Sequence, residues 1–435
     1  MLCWPALRPL SASAHARLVR TDPPDPCAPL AVLRGSPPAR ADLPCASGVV
    51  LAEPPRSLRL FFSERVQLAG RGVRVWGPTG SRVEQGPARV LGTEVRIPVV
   101  ATAPGTYRVL WRVVASDTHP AQGTFLFSVG HPTQPAVPLA GTAGAWRFAV
   151  GLALQALARA VHFAGYALCF GIFAFRRAVL VPRSFTTDAS VDGQVWRLIG
   201  TGVLGLLAAE PLALLAQTVS LSAPPESPID LDVMGGALDS SFGLVVGQRV
   251  GAAALVWVLV GAVRQGAMRE AAAAWAVLGL GVAVALIDGE AAHAVGARPA
   301  WLGFGANVLH ESAMGWWIGA VLGLLGIWRL PGVVPRRVEV AFAAARFAAP
   351  SVGILVLSGT VMAVQHLAGV RDLVATWYGR TLAGKLVVVA VAATLGWAAA
   401  TAPVERRSRW WMREAAVFLG LLALAGLLVS LPPPI

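Results

Sequence analysis

The chain has 435 residues, 55% of them hydrophobic and only 14% charged, with a mean hydropathy of +0.62, which is too apolar for an ordinary soluble protein and long enough for two domains. Its net charge of +13 would suit a nucleic-acid partner in a soluble chain, but the arginines cluster in short segments between apolar runs, where they orient a protein in a bilayer. Nucleic acid is therefore discounted as a partner, and no Walker-type phosphate loop occurs that would let this chain use a nucleotide.

Residues 1–14 read as the remnant of a secretory signal peptide, with Ala12-Ser13-Ala14 as the small-residue cleavage site before His15. The stretch is shorter than the ~15–30 residues usual for a leader. Cys3 lies in it and Cys169 in an apolar run. Cys27 and Cys45, in a Pro-rich stretch, are either a disulfide formed in an oxidising compartment or two unpaired thiols.

From residue 49 to 130 the pattern is short and alternating: Leu58 to Phe62, Val73 to Trp76, Val95 to Ile97, Tyr107 to Val114 and Thr124 to Phe127. Turn pairs such as Gly77-Pro78 and Pro104-Gly105 separate the runs, so an all-β sandwich or Greek-key barrel is expected. Residues 131–147, rich in Pro, Gly and Ala, read as a linker. His131 at its start is not expected to be a ligand.

After the linker, apolar runs occupy roughly 150–175, 197–221, 242–263, 271–288, 302–328, 347–366, 382–402 and 414–431. Each is near the ~20 residues that a membrane helix requires, which predicts an all-α polytopic domain of about eight spans over 148–435. Arg176, Arg177 and Arg183 follow the first run, Arg264 and Arg269 the third, Arg329, Arg336 and Arg337 the fifth, and Arg406, Arg407, Arg409 and Arg413 the seventh. Segment 222–241 instead carries Glu226, Asp230, Asp232 and Asp239 with no basic residue. The positive-inside rule then puts the N-terminal domain and the C-terminus outside the cytoplasm. Loop 367–385, with Arg371, Arg380 and Lys385, fits this least well.

Cleavage after Ala14 would make His15 the mature N-terminus, where its amine and imidazole hold one ion together. Asp117 and His119, in the turn of Tyr107 to Pro120, complete a nitrogen and oxygen set of the planar kind Cu(II) prefers. The plainer alternative is a frayed terminal histidine and a turn carboxylate capping local amides.

These residues resemble two copper-resistance families, CopC and CopD, fused in one chain. The CopC-like features are His15-Ala16-Arg17-Leu18, Asp22-Pro23-Pro24-Asp25, Leu51-Ala52-Glu53-Pro54-Pro55, Phe62-Ser63-Glu64 and Trp111 through Pro120, then Gly123-Thr124-Phe125. The CopD-like ones are looser: Gly289-Glu290-Ala291-Ala292-His293-Ala294, Leu309-His310 with Trp317-Ile318-Gly319, and Trp377-Tyr378-Gly379-Arg380. The resemblance implies an Ig-like, CopC-like copper-binding sandwich over 15–130 followed by a CopD-like membrane domain. It implies one Cu(II) site built from the His15 amine and imidazole with Asp117 and His119. Two departures stand out: residues 26–47 look like an insertion, and Thr118 stands where the family usually has glycine. Some relatives carry a further Met-rich Cu(I) site, but no methionine occurs between Leu2 and Val233, so a single oxidised-copper site is expected in the sandwich.

In the membrane domain His310 and Met314 are four apart, as are Met362 and His366, so each pair shares a helical face. Imidazole with thioether suits Cu(I). A descending copper path through His293, His366, Met362, His310, Met314 and His162 is expected, against the alternative of packing methionines and interhelical histidine hydrogen bonds. Glu210 and Glu311 fall near the same depth, Glu210 being equally a structural partner for Arg249 or Arg159. The resulting expectation is a copper-binding and transport protein rather than an enzyme, serving uptake or tolerance, with copper ions, the lipid bilayer and a periplasmic chaperone or reductase as partners. The alternatives are a haem- or copper-dependent membrane redox protein, with haem held by membrane histidines, and, more remotely, a copper oxidase built on the N-terminal histidine.

Overall fold

The computed structural model describes residues 16–24, 49–136, 142–222, 227–291, 299–431 and 433–434. His15, His293, Cys27, Cys45 and the insertion 26–47 lie outside them. The N-terminal strands are β1 (Leu18–Asp22), β2 (Val49–Leu51), β3 (Ser57–Phe62), β4 (Val66–Trp76), β5 (Arg89–Leu91), β6 (Glu94–Pro98), β7 (Gly105–Ala115) and β8 (Pro120–Val129). They form two four-stranded sheets, ordered β1-β3-β6-β5 and β2-β8-β7-β4. The expected sandwich is present.

Alternation explains the packing. In β3 the side chains of Leu58, Leu60 and Phe62 point inward while their neighbours stay partly exposed, each buried apolar side chain contributing ~1.5–3 kcal/mol. Phe62 meets Trp111 edge to face at 5.2 Å, and Tyr107 stacks on Phe127 at 4.9 Å. Strand β7 is buried along all of its 11 residues. Its odd positions, Tyr107, Val109, Trp111 and Val113, fill the sandwich core, whereas Val114 on the opposite face joins Leu221, Val233 and Phe242 of the helical domain. Helices cover part of the outer face of this sheet, so β7 is buried on both faces even though Thr106, Arg108 and Arg112 break its apolar run.

The helices are α1 (Thr142–Tyr166), α2 (Ala189–Leu221), α3 (Leu231–Leu238), α4 (Ser241–Arg264), α5 (Glu270–Glu290), α6 (Ala300–Ile327), α7 (Arg337–His366), α8 (Trp377–Thr401) and α9 (Val404–Ser430). Eight helical segments among the described residues are long and apolar enough to cross a membrane, the first running on from α1 through wide π turns at Ala167–Gly171 and Arg176–Leu180 to Arg183. Helix α1 begins inside the stretch expected to be linker. Lys385 lies two turns inside α8 rather than in a loop, because Thr376 caps that helix by accepting from Gly379 N at 2.9 Å.

Small residues let the helices approach closely. A Cβ on Gly171 would stand 1.9 Å from Gly315 O, and one on Gly319 2.4 Å from Gly171 C, so Gly315-x-x-x-Gly319 makes a backbone-to-backbone crossing with the first span.

The sandwich sits on one end of the bundle. Helix α3, capped by Asp230, lies under β4. Arg74 Nη2 reaches Asp230 at 3.9 Å and Asp232 at 3.6 Å, and Arg71 N donates to Asp232 Oδ2 at 3.3 Å. Gln67 Oε1 accepts from Ser241 N at 2.6 Å, and Gln122 Nε2 donates to Ser220 O at 2.9 Å. The acidic segment before α4 therefore also serves as a docking surface. At Gly236 a Cβ would come within 1.8 Å of Gly70 N, so only glycine fits beneath the β4 bulge.

Candidate functional site

The turn joining β7 to β8 carries the two described residues of the expected sandwich site. Ala115 N donates to His119 O at 2.9 Å and Thr118 N to Ala115 O at 3.0 Å. Closing so tight a turn places Thr118 at φ +68°, in the left-handed region. Ser116 Oγ donates to the Glu64 carboxylate and ties the turn to the β3–β4 connection. Asp117 and His119 are then held together, with His119 Nδ1 3.1 Å from Asp117 Oδ2 and His119 N donating to Asp117 Oδ1 at 3.2 Å.

Both side chains are almost wholly buried, at 1% and 3% exposure, because the helical domain covers them. His119 Nε2 is 3.1 Å from Val429 O at the end of α9 and 3.3 Å from Arg159 Nη2 on α1. Gln217 Nε2 of α2 donates to Thr118 O at 3.1 Å. Nδ1 faces two acceptors, Asp117 Oδ2 and, at 3.2 Å, Asp117 O, so without an ion it carries the ring proton, whereas an ion on Nδ1 would leave Nε2–H to donate to Val429 O. A ligating histidine is commonly oriented in this way by a backbone acceptor on its other nitrogen.

Behind His119 a cavity of about 550 Å³ reaches into the bundle, and its walls include Arg159, His162, Glu311, His310, Met362 and Lys385. One turn beyond Arg159 lies a buried charged cluster. His162 Nε2 is 2.9 Å from Asp288 Oδ2, and its Nδ1 is 3.5 Å from Glu210 Oε1. Arg249 Nε donates to Asp288 Oδ1 at 2.7 Å and Nη1 is 3.9 Å from Glu210 Oε1. Donor atoms of His162, Asp288 and Glu311 all lie within 4.8 Å of one another. Further in, His310 Nδ1 is 3.1 Å from Ser358 Oγ. Near the sandwich end, His366 packs against Tyr378 with ring centroids 6.2 Å apart. Trp317, in the cavity wall, donates Nε1 to the buried Glu414 at 2.8 Å.

Comparison with known proteins bears on both halves. A model of the CopC domain matches residues 44–130, and one of the copper resistance protein D-like N-terminal domain matches residues 150–298. Protein YobA of Escherichia coli (strain K12) is 34% identical over 90 residues, covering 20% of this chain and 72% of that protein. Copper resistance protein C of Escherichia coli is 33% identical over 103 residues, covering 21% of this chain and 80% of that protein. The chain belongs to the copper-resistance proteins, as a CopC–CopD fusion. CopC from Methylosinus trichosporium OB3b, a solved structure, is 23% identical, with a TM-score of 0.20 over 29% of this chain and 99% of that one.

Within the CopC domain, Asp117 and His119 are brought together, and Thr118 takes the left-handed conformation that a glycine adopts without strain. In the helical bundle, His162, His310, Met314, Met362 and His366 all line the cavity that begins at His119. Arg249 pairs with Glu210, one of the two alternatives expected for that carboxylate, while Arg159 turns to His119. Sequence reasoning missed Asp288. Asp288 closes the fourth apolar run, 271–288, and its carboxylate is given no role there. An acid inside the last turn of a span, with a second at Glu290, was the signal available.

Proposed function

We propose that this CopC–CopD fusion is a copper-handling membrane protein whose sandwich captures Cu(II) through His15, Asp117 and His119 and passes copper into the membrane domain, for uptake or tolerance. The observation that carries the reading is that His119 faces two ways. Its Nδ1 stands beside Asp117 in the sandwich, and its Nε2 touches Val429 and Arg159 of the bundle at the mouth of the cavity.

The donor chemistry fits. An imidazole and a carboxylate 3.1 Å apart, joined by the amine and imidazole of a processed His15, make the nitrogen and oxygen set that Cu(II) favours. Below, His162, His310, Met314, Met362 and His366 line one cavity, and His293, outside the described residues, is proposed to join this path. The pairs His310 with Met314 and Met362 with His366 offer imidazole and thioether, which suit Cu(I) once a partner reductase has supplied the electron.

Charge supports the orientation. The sandwich-side end carries Asp230, Asp232 and Asp239, whereas Arg264, Arg269, Arg336 and Arg337 lie at the far end. The sandwich then faces the periplasm.

Copper EPR on the purified full-length chain tests the capture step, together with N-terminal sequencing. His15 as the mature terminus and a Cu(II) signal with two imidazole nitrogens that is lost in Asp117→Ala are expected. A retained leader, or a signal that Asp117→Ala leaves unchanged, overturns the reading.

A further inference from the structure

We infer that His162, Asp288 and Glu311, with Glu210 beside them, form a second divalent-copper site inside the bundle. It rests on the reading that copper enters from the sandwich, and it names the first station the ion reaches.

Charge is the first argument. Glu210, Asp288 and Glu311 bring three carboxylates into one buried pocket, and Arg249 is the cation paired with them, touching Asp288 at 2.7 Å and Glu210 at 3.9 Å. Three carboxyl groups here share one paired guanidinium. Isolated buried charge is costly and such groups otherwise take up protons, so carboxyl oxygens gathered at this depth suit a cation that displaces those protons.

Unused donor atoms are the second. Glu311 Oε1 and Glu210 Oε2 are buried and have no hydrogen-bond partner, although their residues are 95% and 98% buried, being 5% and 2% exposed. Both residues line the cavity.

Spacing is the third. Two donors at right angles on one ion, each ~2.0 Å from it, stand ~2.8 Å apart, close to the 2.9 Å hydrogen-bond distance of His162 Nε2 and Asp288 Oδ2. Donor atoms of His162, Asp288 and Glu311 lie within 4.8 Å of one another, so a contraction of up to about 0.8 Å brings the widest pair to the ~4.0 Å of two donors on opposite sides of an ion. Arg249 holds Asp288 Oδ1 and leaves Oδ2 turned to His162 at the site.

One imidazole with carboxylates, and no sulfur, selects a divalent ion over Cu(I). The site shares its donor class with Asp117 and His119, so an ion moves between them without changing oxidation state. His162 lies three residues beyond Arg159, which touches His119, a rise of ~4.5 Å along one helix. Glu311 adjoins His310 in sequence and leads the ion onward.

The test is Cu(II) titration of the purified full-length protein in detergent, followed by equilibrium dialysis and EPR. Two Cu(II) per chain are expected, the second showing hyperfine coupling to a single imidazole nitrogen. Glu311→Gln, which keeps shape and removes a charge outside the Arg249 pairs, should bind one Cu(II) with the sandwich signal intact. Asp117→Ala should lose the sandwich signal and keep the other. A wild type that binds one ion, a second ion with several imidazole or any sulfur ligands, or a Glu311→Gln protein that still binds two overturns the proposal. The wild-type hyperfine pattern decides the matter even if the variant fails to fold. Loss of both signals' dependence on Asp117 would instead count against the sandwich capture site alone.

Discussion

Arg159 Nη2 stands 3.3 Å from His119 Nε2, so a guanidinium from the first membrane helix abuts the histidine that the sandwich presents at the cavity mouth. An arginine is always charged and has no acceptor, so it repels a cation arriving beside His119. At the same time it lies close to Asp117 and balances that carboxylate when no ion is present. Capture and release are thereby set against each other at one contact.

Replacing this charge should shift the balance. Arg159→Gln is expected to tighten Cu(II) at the sandwich by on the order of tenfold or more, given ~4 kcal/mol between unit charges 4 Å apart at an effective dielectric near 20 and less at greater separation. Competition titration against a chelator of known strength measures it. Unchanged or weaker affinity would show that Arg159 serves docking alone.

Thr118 sits at φ +68°, where a β-branched residue is strained. Thr118→Gly removes a left-handed penalty of ~1–2 kcal/mol but adds ~0.5–1 kcal/mol of unfolded-chain entropy. A net stabilisation under about 1 kcal/mol is expected, with Cu(II) affinity within a factor of two or so, because Asp117 and His119 keep their turn. Thermal unfolding of the full chain followed by tryptophan fluorescence checks the first point. A lower midpoint would mean that the Thr118 side chain makes a contact worth more than the strain.

The crossing of the first span with α6 is a second stability test. A Cβ on Gly171 would fall 1.9 Å from Gly315 O, and neither backbone has room to give. Gly171→Ala is expected to cost ~1–3 kcal/mol or more as the helices part, read as a lower midpoint of thermal unfolding in detergent. The pocket behind His119 would widen with it. An unshifted midpoint would contradict the packing.

His310 lies beyond the charged cluster and touches Ser358 rather than any sandwich residue. His310→Ala should therefore lower cellular copper accumulation several-fold while leaving the sandwich EPR signal unaltered. Unaltered accumulation would remove His310 from the path.

Much of this architecture was legible in the sequence because its signals are local. Alternation marked Leu58 to Phe62 and Tyr107 to Val114, and spans of bilayer length followed from apolar runs bounded by arginines. Thr118 stood out because the resembled family usually has glycine there, and its φ of +68° shows why. Contacts made between the halves were not legible. Nothing in Val429 or Gln217 announces that a backbone carbonyl will orient His119 or that an amide will hold Thr118, since both depend on how the sandwich docks. Asp288 was hidden for a different reason: a helix end and a loop start look alike when one acid stands at the boundary. Lys385 was misread similarly, its helix starting earlier because Thr376 supplies the cap.

The central claim is that copper leaves the sandwich through the cavity behind His119. The most direct measurement is copper movement across proteoliposomes carrying the full-length chain, compared with Asp117→Ala. Movement in the wild type that falls to the level of empty vesicles in the variant is the predicted result. Equal movement in both would contradict the account.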